Sequence, residues 1–158
     1  RAAGHIEVDH ENGRPAFEAA LTHLRRGGTL GIFPEGSLSP RDGGLARARS
    51  GAVRLALSAR VPVVPVGIYL DHERIRRVKT TISGMSETAR WYPTGPYALT
   101  VGEPMVFSGP ADDRALVGDC SEKLMRRIGQ LARLSAWRID RSLALDSWIM
   151  PRPAGLAN

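Results

Sequence analysis

Thr29-Leu30-Gly31-Ile32-Phe33-Pro34-Glu35-Gly36-Ser37 is the stretch on which the reading of this chain turns. Its first five residues form a short apolar run. Its last four are turn-forming residues that carry one carboxylate. An apolar run of this length, bounded by Gly27-Gly28 before it and Pro34 after it, reads as a buried strand. The turn then sits beyond the carboxyl end of that strand, which is where ligands gather in open α/β sheets.

Upstream, Ala3-Gly4-His5-Ile6-Glu7-Val8-Asp9 alternates in part and suggests a short strand, and Glu11-Asn12-Gly13 is a turn signal. Pro15 suits a first helical position, and Phe17, Ala20, Leu21 and Leu24 follow as one apolar helix face. Gly27-Gly28 ends that helix, because glycine accepts the left-handed cap conformation.

Downstream, Ser39–Gly44 is a loop, and a second, largely apolar helix is predicted from near Ser50 through Val53, Leu55, Ala56, Leu57 and Ala59. Val61-Pro62-Val63-Val64-Pro65-Val66-Gly67-Ile68 reads as a strand by its valines, but its two prolines remove backbone donors. Strand, helix, strand with short connections is the pattern of a parallel α/β sheet. Residues 71–96 are less regular and rich in Arg, Thr, Ser and Gly. Tyr97–Gly102 suggests another strand, and residues 104–113 a connector. A long helix is predicted from Asp112 or Asp113, with a stripe of Leu116, Cys120, Leu124, Ile128, Leu131 and Leu134. The expected fold is therefore mixed α/β: a largely parallel sheet flanked by helices over residues 1–110, and a helical C-terminal arm over 111–158 packed on the same domain.

Composition narrows the function. The chain has 158 residues, of which 22 are Lys or Arg and 16 are Asp or Glu, for a net charge of +6. That balance suits a partner with phosphates, or else a set of solvated arginines with no partner. No run of ~18 apolar residues occurs, so no transmembrane helix is written in this sequence. One cysteine, Cys120, excludes an internal disulfide and lies on the apolar stripe as a packing residue.

The chemistry concentrates at Phe33-Pro34-Glu35-Gly36-Ser37. Glu35 can accept hydrogen bonds from an alcohol or orient a cation, and Ser37 and Ser39 add hydroxyls. Backbone N–H groups in such a loop can face a phosphate. The alternative is a plain strand-to-loop turn with Glu35 paired to an arginine.

Phe33-Pro34-Glu35-Gly36-Ser37-Leu38-Ser39 resembles the Phe-Pro-Glu-Gly-Thr-Arg-Ser block of the PlsC-type glycerolipid (lysophospholipid) acyltransferases. Val61-Pro62-Val63-Val64-Pro65-Val66 is similar to that family's Val-Pro block. Gly4-His5-Ile6-Glu7-Val8-Asp9-His10 resembles its Gly-x-hydrophobic-Phe-hydrophobic-Asp-Arg block, and Val101-Gly102-Glu103-Pro104-Met105 its late Val-Gly-Glu-Pro-Ile stretch. The four occur in the family's order. The resemblance implies an acyltransferase-like fold. It implies acyl transfer from acyl-CoA or acyl-carrier protein, as co-substrate, to a lysophospholipid hydroxyl at an anionic membrane surface, on the cytoplasmic face and peripherally. No cofactor or metal is called for. Implied acceptor-binding residues are Glu35, Gly36 and Ser37, with Phe33, Pro34, Ser39 and His10.

This sequence departs from the family pattern in three places. The family places a His-x4-Asp motif at the reacting centre, its His acting as general base. The four histidines here, His5, His10, His23 and His72, have no Asp five residues on. His5 and Asp9 are four apart, which in a strand separates them by about 13 Å, beyond hydrogen-bond reach. The family's motif precedes the Gly4–His10 block, so the expectation is an incomplete copy that begins just after it and is inactive alone. His10 and Leu38 stand where the family has arginines, which weakens the expected hold on a phosphate. Arg41, Arg47, Arg49 and Arg54 are the candidates to compensate.

Two further features carry alternatives. Arg74, Arg76, Arg77 and Lys79 form a basic cluster, either solvated or facing the phosphates of CoA or of a membrane. Arg126, Arg127, Arg133, Arg138 and Arg141 accompany Trp137 and Trp148 on the C-terminal arm, which either packs on its own domain or lies on a membrane. The rival functions are a non-catalytic lipid-binding domain and a basic nucleic-acid-binding domain. The second is not favoured, since aromatics make up only 6 % of residues and no nucleic-acid recognition signature appears.

Overall fold

The computed structural model describes residues 4–9, 12–36, 44–82 and 85–149. The chain divides into two compact units. One comprises Arg1–Pro65 with Glu103–Ile128, and the other Val66–Gly102 with Gly129–Asn158.

The first unit is helical. Helix α1 (Arg14–Arg25) begins with a proline in its first turn, as its sequence predicts, and buries Ala20 and Leu21. It stops at Arg26 and Gly27, where Gly27 takes φ +81°. Helix α2 (Gly51–Ala59) is apolar on most sides and is buried accordingly. One side, at Leu55, meets Ala20 and Leu21 of α1, with Ile6, Phe17, Leu24 and Leu30 around them. The opposite side, at Ala52, Val53 and Leu57, meets Val117, Cys120 and Leu124. Those three belong to helix α3 (Arg114–Ile149). Asp113 caps α3, its Oδ1 accepting from the Ala115 and Leu116 N–H groups at 3.0 and 3.1 Å. This answers two of the donors that every helix start leaves open.

The second unit holds the sheets. Strand β1 (Val66–Leu70) pairs antiparallel with β4 (Tyr97–Val101), and β2 (Arg76–Ile82) pairs antiparallel with β3 (Met85–Trp91). In the β1–β4 pair, Gly67 stands opposite Thr100, and both are buried. Gly67 comes so close to α3 that a Cβ there would lie 2.1 Å from the Ala132 nitrogen. Ser135 of α3 is fully buried at 0 % exposure, donates to the Gly67 carbonyl at 3.0 Å, and shares a 2.7 Å hydrogen bond with Thr100 Oγ1. The other face of this pair leaves Ile68, Tyr97, Leu99 and Val101 exposed.

The fold is mixed α/β, but the expected largely parallel sheet is not what forms. Among the described residues both sheets are two-stranded and antiparallel. A strand exists only through its neighbour's hydrogen bonds, and Thr29–Phe33 finds no ladder among the described residues. Nor is it buried as expected: Ile32 is 46 % exposed and Phe33 76 %. Residues 4–9 likewise form no strand.

The prolines explain another shift. Of the Val61–Ile68 run, the segment before Pro65 makes one isolated bridge, Val63 with Met105, and the ladder starts only at Val66. Residues 71–96, read as irregular, contain the β2–β3 hairpin. Their Val, Thr and Trp suit strands, but with polar residues on both faces no apolar alternation announces them.

Candidate functional site

The Phe33–Gly36 turn is built by local chemistry. The Gly36 N–H donates back to the Phe33 carbonyl at 3.1 Å, closing a four-residue turn around Pro34 and Glu35. Gly36 holds φ +62°, a left-handed value that favours glycine. The turn also has a close neighbour at this position. A Cβ would lie 2.6 Å from Arg49 Cδ and 2.9 Å from its Nε, so the Arg49 side chain rests directly against the turn.

The turn is also fastened to residues 44–49, which lead into α2. The Arg49 N–H donates to the Pro34 carbonyl at 2.8 Å. The Ala46 N–H donates to Glu35 Oε2. The Glu35 side chain is half-buried and engaged on that oxygen, whereas Phe33 projects into solvent. The result is a carboxylate and a guanidinium-bearing side chain gathered at one turn, immediately before the start of α2. Ser50 at that helix start makes no side-chain capping bond, and no acidic residue lies in the first turn. Its leading N–H groups and positive dipole end therefore favour an anion there.

Of the residues the sequence singled out, Phe33, Pro34, Glu35 and Gly36 are brought together in this turn. Ser37, Ser39 and His10 lie outside the described residues, as do Leu38 and Arg41. Among the four candidate arginines, Arg49 touches the turn. Arg54 is spent elsewhere: its guanidinium carbon stacks 5.4 Å from the Phe17 ring centroid on α1. Arg47 is exposed. Sequence reasoning missed Ala46, whose contribution is a backbone N–H that no side-chain pattern could have revealed. His5 and Asp9 are both exposed, in a segment with no regular secondary structure. His23 has a structural part, its Nε2 lying 3.0 Å from the Thr29 carbonyl across the reversal after α1. Among the described residues, no group of His, Cys, Asp and Glu is arranged to hold a metal ion.

On the C-terminal arm, Arg138 Nη1 donates to Thr100 Oγ1 at 3.2 Å, so that arginine packs on its own unit. Arg141 stacks on Trp137, 4.8 Å from the ring centroid.

Comparison with known proteins gives a concordant result. Residues 1–69 match the profile of the family described as Acyltransferase. The chain is 29 % identical over 134 residues to a 1-acyl-sn-glycerol-3-phosphate acyltransferase of Haemophilus influenzae, covering 81 % of this chain and 50 % of that protein. It is 30 % identical over 95 residues to the enzyme of the same name from Limnanthes douglasii, covering 58 % of this chain and 34 % of that one. Over 99 residues it is 31 % identical to glycerol-3-phosphate O-acyltransferase 2 of Saccharomyces cerevisiae, covering 59 % of this chain and 11 % of the yeast protein. The chain thus spans half or less of the length of these relatives. No solved structure matches it.

Proposed function

We propose that the chain, whose residues 1–69 match the Acyltransferase family, is of the PlsC type of glycerolipid acyltransferases, and that the protein moves a fatty acyl group from a thioester to a lysophospholipid hydroxyl. The donor is acyl-CoA or acyl-carrier protein. The acceptor is of the 1-acylglycerol-3-phosphate kind, the substrate named for two of the relatives. The setting is the cytoplasmic face of a membrane, with the protein bound peripherally, and the chemistry uses no metal or cofactor.

The observation that carries this reading is the Glu35–Arg49 turn. In the reaction the acceptor oxygen attacks the thioester carbonyl carbon, the carbon–sulfur bond breaks, and the hydroxyl proton leaves to a base. This chain supplies the acceptor's seat. Glu35 accepts from an acceptor hydroxyl, while Arg49 and the open N–H groups at the start of α2 answer its phosphate. The turn works as a unit because Ala46 and Arg49 fix it to the segment that leads into α2. No His-x4-Asp spacing occurs in the 158 residues, so the reading assigns this chain acceptor-holding groups and no general base.

The test is acyl transfer by the protein as isolated from its source, with 1-acylglycerol-3-phosphate as acceptor. Glu35→Ala is expected to lower kcat/KM by about ten- to a hundredfold, mainly by raising KM for the acceptor, the range for losing a hydrogen bond to a charged group. Wild-type turnover in that variant overturns the acceptor assignment. Acceptor binding without turnover by the native protein replaces the enzyme reading with a lipid-binding one.

A further inference from the structure

Over residues 76–79, strand β2 is open to solvent on both faces. Arg76, Arg77, Val78 and Lys79 are consecutive, and all four are exposed. Since side chains alternate along a strand, neither side of this stretch lies against a core. The register divides the hairpin chemically. Arg76 and Val78 share a face with their partners Trp91 and Ala89. Arg77 and Lys79 share the other face with Arg90 and Thr88. None of positions 77, 79, 81, 86, 88 and 90 carries Asp or Glu. On the first face, Trp91 is 61 % exposed and Val78 48 %.

The base of the hairpin is secured. The Tyr92 hydroxyl accepts from the Asp71 N–H at 3.4 Å and donates to the Pro96 carbonyl at 2.6 Å. Arg74 Nε pairs with Asp71 Oδ2 at 3.1 Å. Beyond that base stands a two-stranded ribbon that carries the exposed Trp91 and Val78 on one face, beside positions 76 (Arg) and 87 (Glu), and cations without a carboxylate on the other, an arrangement of marginal stability in plain water.

We infer that the β2–β3 hairpin is a docking element for an anionic lipid bilayer. Charge complementarity selects the occupant, and the division of faces sharpens the choice. A nucleic-acid strand that met the cations of one face would leave Trp91 and Val78 in water on the other. A bilayer interface engages both at once. The indole and the valine sit at the boundary between headgroups and acyl chains, while Arg77 and Lys79 extend their stems to the phosphates. This requires only lipid binding, and it stands whether or not acyl transfer occurs.

The experiment is co-sedimentation of the protein with phosphatidylglycerol vesicles and, separately, with phosphatidylcholine vesicles. The expected result is partition onto the anionic vesicles alone. Each cation near such a surface contributes about fivefold, so Arg77→Gln with Lys79→Gln should weaken partition roughly thirtyfold. Trp91→Ala should weaken it further, and the indole emission of Trp91 should be quenched by brominated acyl chains in the wild type. All three residues are exposed, so the variants are expected to keep the wild-type circular dichroism spectrum. Turnover on a short-chain, water-soluble acceptor should be unchanged by them, which separates a failure here from a failure of the acyl-transfer reading. Unchanged partition in the double variant overturns the inference. So does binding to a DNA duplex that competes with the vesicles while Trp91→Ala has no effect.

Discussion

Replacing Gly67 with alanine adds one methyl group where the second unit is tightest. The new Cβ would lie 2.1 Å from the Ala132 nitrogen and 2.2 Å from the Leu131 carbonyl carbon. Both are backbone atoms of α3, so no side chain can rotate away to make room. Ordinary contact begins near 3.5 Å, so strand and helix would have to part by more than about 1 Å. Overpacking of this kind costs roughly 1–3 kcal/mol. Separation also stretches the 3.0 Å bond from Ser135 to the Gly67 carbonyl, which adds about 1 kcal/mol. The sum is about 2–4 kcal/mol. With a urea slope of about 1–3 kcal/mol/M, the unfolding midpoint of this unit should fall by about 1–2 M. Gly118→Ala is the control. It makes the same chemical change within α3, where nothing lies within 4 Å of the added Cβ, and should gain up to about 1 kcal/mol from helix propensity. Urea unfolding followed by circular dichroism reads both. A midpoint for Gly67→Ala at or above the wild-type value would refute the close approach of β1 to α3.

Two further outcomes follow from the same unit. Ser135→Ala removes a buried hydroxyl shared between Thr100 and the Gly67 carbonyl and should destabilise by about 1–3 kcal/mol, read as a lower urea midpoint; an unchanged midpoint would show that this bond does not hold strand to helix. The Tyr69 phenol is raised above its ordinary value of 10.0, first by burial and then by the negative charges of Asp140 and Asp71. The unfolded chain therefore loses this proton first. The contribution of Tyr69 to stability is complete below about pH 10 and is lost as pH rises through the folded value. Tyr69→Phe should flatten that alkaline decline in pH-dependent unfolding, and an identical decline in the variant would contradict the assignment.

The candidate site was legible at its centre and not around it. Pro34, Glu35 and Gly36 declare a turn with a carboxylate in any context, because proline and glycine restrict or free the backbone by covalent geometry alone. What fastens the turn was not legible. The Ala46 donor is a backbone N–H, and Arg49 was one of four candidate arginines until the contact with Gly36 distinguished it. Arg54 stood as an equal candidate in the sequence and is instead stacked on Phe17.

The same division runs through the fold. Residue identity alone determined the helices, because their stops and caps are local: Pro15 and Gly27 bound α1, and Asp113 caps α3. Their apolar faces follow from a repeat that each helix carries within itself. The two prolines of the Val61–Ile68 run signalled that its pairing would be incomplete, but not that the ladder would start only at Val66. Strands are different, since each needs a partner from elsewhere in the chain. Thr29–Phe33 has the composition of a buried strand and lacks a neighbour among the described residues, whereas Arg76–Ile82 lacks the apolar alternation and has one in Met85–Trp91. Pairing and its direction were decided only in three dimensions, because hydrogen bonds between segments distant in sequence leave no periodic trace in either one.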